Sequence, residues 1–429
     1  METLTTTEQR VLDAVDADEI VADLADLVAI PSVGGTPAEA RAQLWCADRL
    51  RSLGLEVEEW DIDIAAEQAA EGFPGMEVER AAARGCVAVL GGPAAADRTG
   101  VPALALCGHT DVVPPGDLAQ WPATGPFRLR VEGGVASGRG ACDMKGGLAA
   151  VLGAVAALGR AGVRLARPLA VHTVSGEEDG GLGAFATLRR GHVAQACVIA
   201  EPTSGAVVPA NAGSLTFRLE IEGRATHGST RTRGVSAIDL LLPVQQALRA
   251  LEVERNAVVP ELFSHLDLAW PLSVGIVRAG DWASTVPDRL VAEGRYGVRL
   301  GESLDDARTA FEQAVALAGE QHPWLREHPV AVSWPGGAFA PAALPTGDPL
   351  LRDVAECVTR TVGSPPEVLG GPYGSDLRHY AAAGIPTLQY GPGDVRHAHA
   401  SDEQVEVADL ERCARVYALL ALRRCGTVD

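Results

Sequence analysis

The stretch SGRGACDMKGGLAA, residues 137–150, predicts a junction between a strand and a helix that carries one carboxylate, Asp143. Glycines around Asp143 allow a tight turn, and an Ala-rich apolar pattern typical of a buried helix begins at Leu148. Open α/β sheets place their sites at such junctions. Lys145, in the same turn, is the only lysine of the chain. We expect its ammonium group to pair with a neighbouring acid and to hold the turn.

Length and charge limit the classes of protein to which the chain can belong. Its 429 residues exceed one ordinary hydrophobic core, so two domains are expected. A formal net charge of −20 disfavours nucleic acid and anionic membranes as partners, because both are bound through clustered Lys and Arg. No apolar run reaches the roughly 20 residues that span a bilayer, and the polar start METLTTTEQR does not resemble a signal peptide.

Eight cysteines are scattered singly along the chain, without the paired spacing of a structural zinc site. We expect them to be reduced and mostly buried, as is usual in the cytoplasm. Together with the polar start, this pattern makes the cytoplasm the expected location.

Hydrophobic patterns outside the opening stretch predict an α/β fold with a mostly parallel sheet, because buried strands alternate with helices. The predicted helices and strands include helices at 11–30, 37–53, 147–162 and 183–190 and strands at 86–90, 103–109, 169–175 and 196–200. Acids or histidines follow four segments in turn: His109 with Asp111, Asp143, Glu177 with Glu178, and Glu201. Since the carboxyl ends of parallel strands meet at one sheet edge, we expect these side chains to converge there.

The pattern changes at residue 215 and predicts a second, smaller domain. An alternating strand, a helix, two strands, a helix and a last strand follow one another up to residue 334. This β-α-β-β-α-β order is the ferredoxin-like unit. We therefore predict a main domain in two parts, residues 1–211 and 335–429, interrupted by an inserted domain at residues 212–334.

Five side chains form a set that suits divalent transition metals such as Zn²⁺, Mn²⁺ or Co²⁺. Each alone has an ordinary explanation, as a core histidine or a solvated acid. Together they exceed the three protein ligands of one catalytic zinc and suit two metals that share a bridging carboxylate. The set is His109, Asp143, Glu178, Glu201 and His399.

Six segments, in this order and across nearly the whole chain, resemble the M20 family of metallopeptidases and deacylases. They are GHTDVVPPG, SGRGACDMKGG, SGEEDGGLGA, AEPT, GRATHGS and AHASDEQ. That family includes acetylornithine deacetylase, succinyl-diaminopimelate desuccinylase, aminoacylase and glutamate-releasing carboxypeptidases. The resemblance implies a zinc-peptidase-like catalytic domain with a mostly parallel central sheet. It also implies that the inserted ferredoxin-like domain is a lid or dimerisation domain.

The resemblance further implies two divalent ions per chain, Zn²⁺ in the first instance and Co²⁺ or Mn²⁺ as alternatives. His109 and Glu201 would hold the first ion. Glu178 and His399 would hold the second, and Asp143 would bridge the two. His397 is the nearest rival to His399, which we prefer because it precedes Ser401-Asp402-Glu403 with the family's spacing.

Three catalytic roles also follow from the resemblance. Asp111 would accept the other imidazole N–H of His109 and fix its tautomer. Glu177 would be the general base that activates water for attack on an amide carbonyl and then protonates the leaving amine. His227, in the inserted domain, would donate to the developing oxyanion, and in a homodimer it would arrive from the partner.

Substrate recognition is less determined by the sequence. The segment GSDLR, residues 374–378, resembles the part of desuccinylases that meets a substrate carboxylate, which points to Arg378 with Ser375. Arg295 and Arg299 are alternatives, and each arginine has an equal alternative as a structural ion pair. Thr285 stands where the family often has Asn, which puts the usual contact in doubt.

The implied function is a dinuclear metal-dependent amidohydrolase that removes an N-acyl group from an amino acid or a related small amine. A metallo-carboxypeptidase or dipeptidase acting on small peptides is the alternative. A biosynthetic enzyme acting on a tethered intermediate and a non-catalytic binding homologue are further alternatives. Asp402 and Glu403 are interpreted as acids at the start of a helix.

Overall fold

In the computed structural model, which describes residues 4–91 and 100–428, the chain forms two units. The larger comprises Met1–Pro209, Ala343–Leu369 and Ser375–Asp429, and the smaller comprises Ala210–Ala342 and Gly370–Gly374. The domain limits predicted at 212 and 334, and the role of the inserted part as a lid or dimerisation domain, stay predictions. The short return at Gly370–Gly374 carries no signal in the sequence.

Helices and strands alternate through most of the described residues. The helices are α1 (Thr6–Asp13), α2 (Ala17–Ala29), α3 (Pro37–Ser52), α4 (Ile64–Gln68), α5 (Lys145–Arg160), α6 (Leu182–Arg189), α7 (Ala237–Arg255), α8 (Leu304–Glu320), α9 (Pro323–Glu327), α10 (Pro349–Val362), α11 (Leu377–Ala382) and α12 (Val407–Cys425). The strands are β1 (Glu56–Asp61), β2 (Arg84–Leu90), β3 (Leu104–His109), β4 (Arg130–Glu132), β5 (Val135–Ser137), β6 (Leu169–Val174), β7 (Cys197–Ile199), β8 (Val207–Asn211), β9 (Gly213–Glu222), β10 (Leu272–Ala279), β11 (Arg289–Val298), β12 (Ala331–Ser333), β13 (Ala338–Phe339), β14 (Ala342–Ala343), β15 (Val368–Gly371), β16 (Thr387–Gln389) and β17 (Gln404–Glu406). Among the described helices, none has the length and apolar character needed to cross a bilayer.

A central sheet forms the core of the larger unit. Six of its strands lie side by side in the order β1-β2-β6-β3-β7-β16. The four strands β6, β3, β7 and β16 run parallel, while β1 and β2 pair antiparallel at the edge. Every residue of β3, β6 and β7 is buried, as expected for parallel strands covered on both faces. The predicted α/β fold with a mostly parallel sheet is confirmed.

Helix α5 continues directly from the Asp143 turn and is buried from Lys145 to Leu158. Small residues allow it to pack tightly on all sides. At Gly147, for example, an added Cβ would lie only 1.9 Å from the carbonyl oxygen of Ala200. The Ala- and Gly-rich pattern therefore places the Asp143 turn close against the end of β7.

Two features of the larger unit differ from the predicted elements. The segment 11–30 is two helices, α1 and α2, because the Asp16 carboxylate accepts from the N–H groups of Asp18 and Glu19 and starts a new helix. The apolar spacing continues across this break, so the sequence pattern gives no sign of it. Strand β1, with the sequence EVEEWD, was not predicted because its charged residues give no buried strand pattern.

The smaller unit contains the predicted β-α-β-β-α-β order, as β9, α7, β10, β11, α8 and β12. Its sheet has the order β10-β11-β9-β12 and is antiparallel. Phe217, Tyr296 and Phe311 pack together in its core, with the ring of Phe311 within 5.2 Å of both other rings. This unit therefore has its own hydrophobic core.

Candidate metal centre

Three parallel strands deliver polar side chains to one edge of the central sheet. β3 ends at His109, and Glu201 lies just beyond the end of β7. The turn after β6 carries Glu177 and Glu178. These strands are neighbours in the sheet and run in the same direction, so their carboxyl ends bring the four side chains together.

Asp143 reaches the site from a different sheet. It follows β5, which pairs with β4 and β17 in a three-stranded antiparallel sheet. The predicted junction of strand and helix is present, since α5 begins at Lys145. The expectation that all four acid-bearing segments follow strands of the central sheet is wrong for Asp143, because β5 is a short strand outside it.

The two carboxylate oxygens of Asp143 face different histidines. Oδ1 lies 3.2 Å from Nε2 of His109, and Oδ2 lies 3.5 Å from Nε2 of His399. A carboxylate in this position can bridge two cations, one beside each imidazole. This geometry is compatible with the bridging role, which stays a prediction.

The orientation of His109 is fixed by Asp111, but mainly through its backbone. Nδ1 of His109 lies 3.0 Å from the Asp111 carbonyl oxygen and 3.7 Å from the Asp111 carboxylate. The predicted acceptor, the carboxylate, instead accepts from the backbone N–H of Glu178 at 3.1 Å. In either arrangement the Nδ1 proton is held and Nε2 is left free to act as a ligand.

His399, and not His397, contacts an acid of the strand-end group. Its Nε2 lies 3.0 Å from Glu178 Oε2. The residue adopts a left-handed backbone conformation, with φ 63°. His397 is the last residue of a short 3₁₀ helix, Val395–His397, and within the described residues no ion pair joins its ring to Asp143 or Glu178.

Two overlapping groups of side chains have ligand atoms within 4.8 Å of one another. One is His109 with Asp143 and Glu178, and the other is His109 with Glu177 and Glu201. All five of the predicted metal ligands therefore lie in or beside these groups, since His399 contacts both Asp143 and Glu178. Glu177, predicted as the general base, lies on the side of Glu201, with Oε2 4.0 Å from His109 Nε2.

The site is rich in buried negative charge. Burial raises the pKa values of Glu177 and Glu201 well above their ordinary range, and carboxylate neighbours raise them further. Burial alone lowers the pKa of His109, but its hydrogen bond with Asp143 and the surrounding carboxylates raise that pKa well above its usual value. Hydrogen bonds with Asp143 and Glu178 raise the pKa of His399 to about 11.

Divalent cations fit this set of donors. Asp111 Oδ1 and Glu178 Oε1 are buried, and within the described ranges neither has a hydrogen-bond partner. Carboxylates also outnumber the imidazoles available to neutralise them. Imidazole nitrogens and carboxylate oxygens are the ligands that Zn²⁺, Co²⁺ and Mn²⁺ share.

Glu403 holds the Asp143 turn, a role that its sequence pattern does not indicate. Its carboxylate accepts from the backbone N–H groups of Gly140, Cys142 and Asp143 at 2.9 to 3.0 Å. It also pairs with Arg139 at 2.6 Å and is 1% exposed. The interpretation of Glu403 as a helix-start acid is wrong, because β17 follows it and α12 begins only at Val407.

Lys145 holds the beginning of α5 against the end of α2. Its Nζ donates to the carbonyl oxygens of Leu27 and Ile30, each at 2.8 Å. Burial lowers the pKa of this ammonium group to about 7. The expected structural role agrees with these contacts, but the expected partner is wrong, since the hydrogen-bond acceptors are carbonyls and not an acid.

His227 lies in the smaller unit, on its surface. It caps a 3₁₀ helix, Gly228–Arg233, and its Nδ1 lies 2.8 Å from Ser229 Oγ. A backbone bridge joins it to Thr285, so the segment that departs from the family pattern lies beside this histidine. The imidazole is exposed and available to a ligand or to another chain.

The predicted substrate-binding residues occupy different settings. Arg378 is 6% exposed and donates to the carbonyl oxygens of Ser375 and Gly180 at 2.6 and 2.7 Å, which favours the structural alternative. The Ser375 hydroxyl accepts from the backbone N–H of Leu377. Arg295, on β11, is exposed and donates to Ser214 Oγ at 3.0 Å.

Comparison with known proteins places the chain in a family. Residues 105–423 match the peptidase family M20/M25/M40. The chain belongs to this family. The resemblance carried by the six segments is therefore confirmed, and an M20 peptidase family member is a hydrolase of amide bonds.

Two curated relatives align with nearly the whole chain. N-formyl-4-amino-5-aminomethyl-2-methylpyrimidine deformylase of Halalkalibacterium halodurans is 27% identical over 414 residues, 92% of this chain and 91% of that protein. Succinyl-diaminopimelate desuccinylase of Xanthomonas campestris pv. campestris is 31% identical over 411 residues, 93% of this chain and 96% of that protein.

A solved structure confirms the M20 fold. The YXEP protein of Bacillus subtilis, described as a dinuclear metal-binding peptidase of the M20 family, matches with a TM-score of 0.61 at 16% identity. The match covers 96% of this chain and 99% of that one. The two groups of candidate ligands around His109 therefore lie in a fold that holds two metals in another member.

Proposed function

We propose that the chain is a dinuclear metal-dependent amidohydrolase that removes an N-acyl group from an amino acid or a related small amine. The observation that carries the proposal is the position of Asp143, with one oxygen towards His109 and the other towards His399. The two curated relatives, named a deformylase and a desuccinylase, support the choice of an acyl group.

In this proposal His109 and Glu201 hold one cation, Glu178 and His399 hold the other, and Asp143 bridges them. Zn²⁺ is the proposed native ion, because a site of two imidazoles and carboxylates suits it well. Co²⁺ and Mn²⁺ are the alternatives, since they accept the same ligands. Metal analysis of protein purified without chelator tests both the number and the identity of the ions.

When bound, two divalent cations would polarise an amide carbonyl and lower the pKa of a water molecule beside it. Glu177 takes the proton from the attacking water and delivers it to the leaving amine. Its position supports this role, because it is buried beside His109 and makes no contact with His399 in the described residues. Asp111 keeps His109 in the tautomer that presents Nε2.

His227 is proposed as the donor to the developing oxyanion, from the partner subunit of a homodimer. The support is its exposure on the surface of the smaller unit. Mixing His227→Ala with Glu177→Gln protein tests the idea, because subunit exchange would create one complete site. A mixture that stays as inactive as its components would contradict either the dimer or the role of His227.

Recognition of the substrate is assigned first to Arg295. Arg295 is exposed, whereas the guanidinium of Arg378 is buried on two backbone carbonyls. Ser375 is retained as a candidate through its place in the GSDLR segment. Arg295→Ala should raise KM for substrates with a free carboxylate; equal effects in Arg295→Ala and Arg378→Ala would contradict this order.

Hydrolysis of small peptides by a carboxypeptidase or dipeptidase activity is the alternative function. The solved structure described as an M20 peptidase supports it. Glu201 in the segment AEPT favours deacylases and carboxypeptidases over dipeptidases, which tend to have Asp at that position. Action on a tethered biosynthetic intermediate would use the same residues. A non-catalytic homologue is disfavoured, because Glu177 and the complete ligand set are present.

One panel separates these functions. N-formyl, N-acetyl and N-succinyl amino acids are assayed beside dipeptides, each with Zn²⁺, Co²⁺ and Mn²⁺. We expect turnover of at least one N-acyl amino acid, its loss after chelation and its return with added metal. Faster turnover of dipeptides than of every N-acyl compound would favour the alternative, and an active metal-free enzyme would contradict the proposal.

A cytoplasmic location is also proposed. All eight cysteines are buried as free thiols, a state typical of reducing compartments. Fractionation of the source cells, with detection of the native chain, tests this location.

A further inference from the structure

Arg80 is a buried cation of the larger unit that takes no part in the chemistry proposed above. Its side chain is 1% exposed and lies between Glu39, 4% exposed, and Asp179, 8% exposed. Burial of a charge without partners is strongly unfavourable, so three ionised groups remain together in the interior only when they are well paired.

The contact with Asp179 is a two-point pairing. Nη1 of Arg80 donates to Oδ2 at 2.7 Å, and Nη2 donates to Oδ1 at 2.6 Å. Oδ2 of Asp179 also accepts from the backbone N–H groups of Glu77 and Val78. Because Asp179 directly follows Glu178, this pairing fixes the outer side of the turn that carries Glu177 and Glu178.

The contact with Glu39 connects Arg80 to α3. Nε and Nη2 of Arg80 donate to the Glu39 carboxylate at 3.0 to 3.2 Å, and this carboxylate also accepts from Gly35 N–H. Gln43, one helical turn later on α3, donates to the Thr110 hydroxyl at 3.0 Å. One face of α3 therefore supports both the end of β3 and, through Arg80, the turn after β6.

The inner side of the same turn is held from the sheet. The backbone N–H of Glu178 donates to the Asp111 carboxylate at 3.1 Å. Gly176, with φ +72°, lies so close to Arg80 that an added Cβ would be 3.0 Å from its Nη2. The turn is therefore confined between Asp111 on one side and the Arg80 guanidinium on the other.

We propose that Arg80 is a positioning residue that sets the direction of the Glu177 and Glu178 carboxylates, and that Glu39 holds Arg80 in place from α3. The inference rests on the proposed function, because these carboxylates need a set direction only as base and metal ligand. Residues that orient metal ligands typically change metal affinity or activity roughly 10- to 100-fold when they are replaced.

Arg80→Lys is the variant that tests this role. Lysine keeps the positive charge between the two acids, but an ammonium group cannot form the planar pairing with Asp179 while it also contacts Glu39. Arg255→Lys is the matched control in the smaller unit. Arg255 has a side chain 3% exposed and pairs with Glu302, with Nη1 2.8 Å from Oε1.

Four measurements are made on wild type and both variants. The visible spectrum is recorded during titration of the metal-free protein with Co²⁺, because it reports the geometry of the ligands. Zn²⁺ affinity is measured by competition with a chelator. Thermal unfolding and the separate values of kcat and KM are measured with the best substrate of the panel.

We expect Arg80→Lys to weaken metal affinity roughly 10- to 100-fold, to change the Co²⁺ spectrum and to lower kcat more than it changes KM. Arg255→Lys should lower the unfolding temperature and leave the spectrum and the metal affinity unchanged. A folded Arg80→Lys protein with the wild-type spectrum and affinity would overturn the inference.

If Arg80→Lys does not fold, Glu39→Gln replaces it, because glutamine keeps the shape of the side chain and Glu39 is joined to the turn by its hydrogen bonds with Arg80. A weaker affinity and a changed spectrum support the inference, and wild-type values overturn it. Wild-type protein that binds no Co²⁺ and hydrolyses no substrate would instead contradict the proposed function, and the inference would fail with it.

Discussion

Two turns carry acids of the candidate metal centre, and each is held by a buried arginine–carboxylate pair, but in opposite arrangements. In the first turn, Glu403 comes from outside and binds the backbone next to Asp143 itself. In the second turn, Arg80 comes from outside and binds the side chain of Asp179, one residue beyond Glu178.

The difference shows how directly a supporting residue acts on a ligand. Glu403 accepts from three backbone N–H groups of the Asp143 turn, so the path of the chain depends on it. The second turn has additional backbone support. The N–H of Gly181 donates to the carbonyl oxygen of Gly176, and the N–H of Gly183 donates to the carbonyl oxygen of Ser175. Loss of Glu403 should therefore disturb the site more than loss of Arg80.

The largest expected effect leaves both supports intact. Glu177→Gln should lower kcat by roughly 100- to 10,000-fold, because an amide cannot accept the proton from water. Metal content and unfolding temperature should stay at their wild-type values. Steady-state kinetics and metal analysis on the same preparation check this result, and substantial remaining turnover would exclude Glu177 as the base.

The next effect concerns the first turn. Glu403→Gln replaces one carboxylate oxygen by an NH₂ group, which cannot accept a hydrogen bond. One Glu403 oxygen accepts from Arg139 and Gly140, and the other accepts from Cys142 and Asp143. Either orientation of the amide therefore leaves two donors without their acceptor. We expect a loss of about 3 kcal/mol in unfolding free energy. Metal affinity should fall roughly 10- to 100-fold, by more than in Arg80→Lys.

Glu252→Gln is the matched control for this change. Glu252, in the smaller unit, is buried, accepts from the backbone N–H of Leu272 and pairs with Arg249. Denaturant unfolding should show destabilisation in both variants, whereas chelator competition should show weaker metal binding only in Glu403→Gln. Equal metal affinity in the two variants would contradict the proposed support of the candidate ligand Asp143 by Glu403.

The smallest expected effect concerns the helix that follows the first turn. Lys145→Met keeps the length of the side chain and removes its hydrogen bonds to Leu27 and Ile30. Unfolding free energy should fall by about 1–3 kcal/mol. Metal affinity should stay unchanged, since Glu403 and not Lys145 holds the Asp143 backbone; weaker metal binding would assign Lys145 to the support of the turn.

The candidate ligands could be proposed from the sequence because local signals mark them. His109 and Glu201 end apolar runs, and Asp143 lies in a Gly-rich turn before an Ala-rich helix. The supporting residues have no such signal. Glu403 contacts Arg139 across 264 residues of sequence, and Arg80 contacts Asp179 across 99. Only the folded chain brings these partners together.

The fold could be predicted where the pattern of burial is regular. The buried strands β3, β6 and β7 and the order of the smaller unit follow from their patterns. The break between α1 and α2 could not be found, because apolar spacing persists across Asp16. The sheet to which β5 belongs could not be found for a related reason, since its three residues give no periodicity.

The single lysine can serve as a probe of local opening of the chain. Lys145 is 0% exposed, so in the folded protein its amine is shielded from amine-reactive reagents. Acylation of Lys145 requires α2 to separate from the start of α5. Mass spectrometry that follows acylation of Lys145 over time would therefore report the opening of this one contact, without an engineered label.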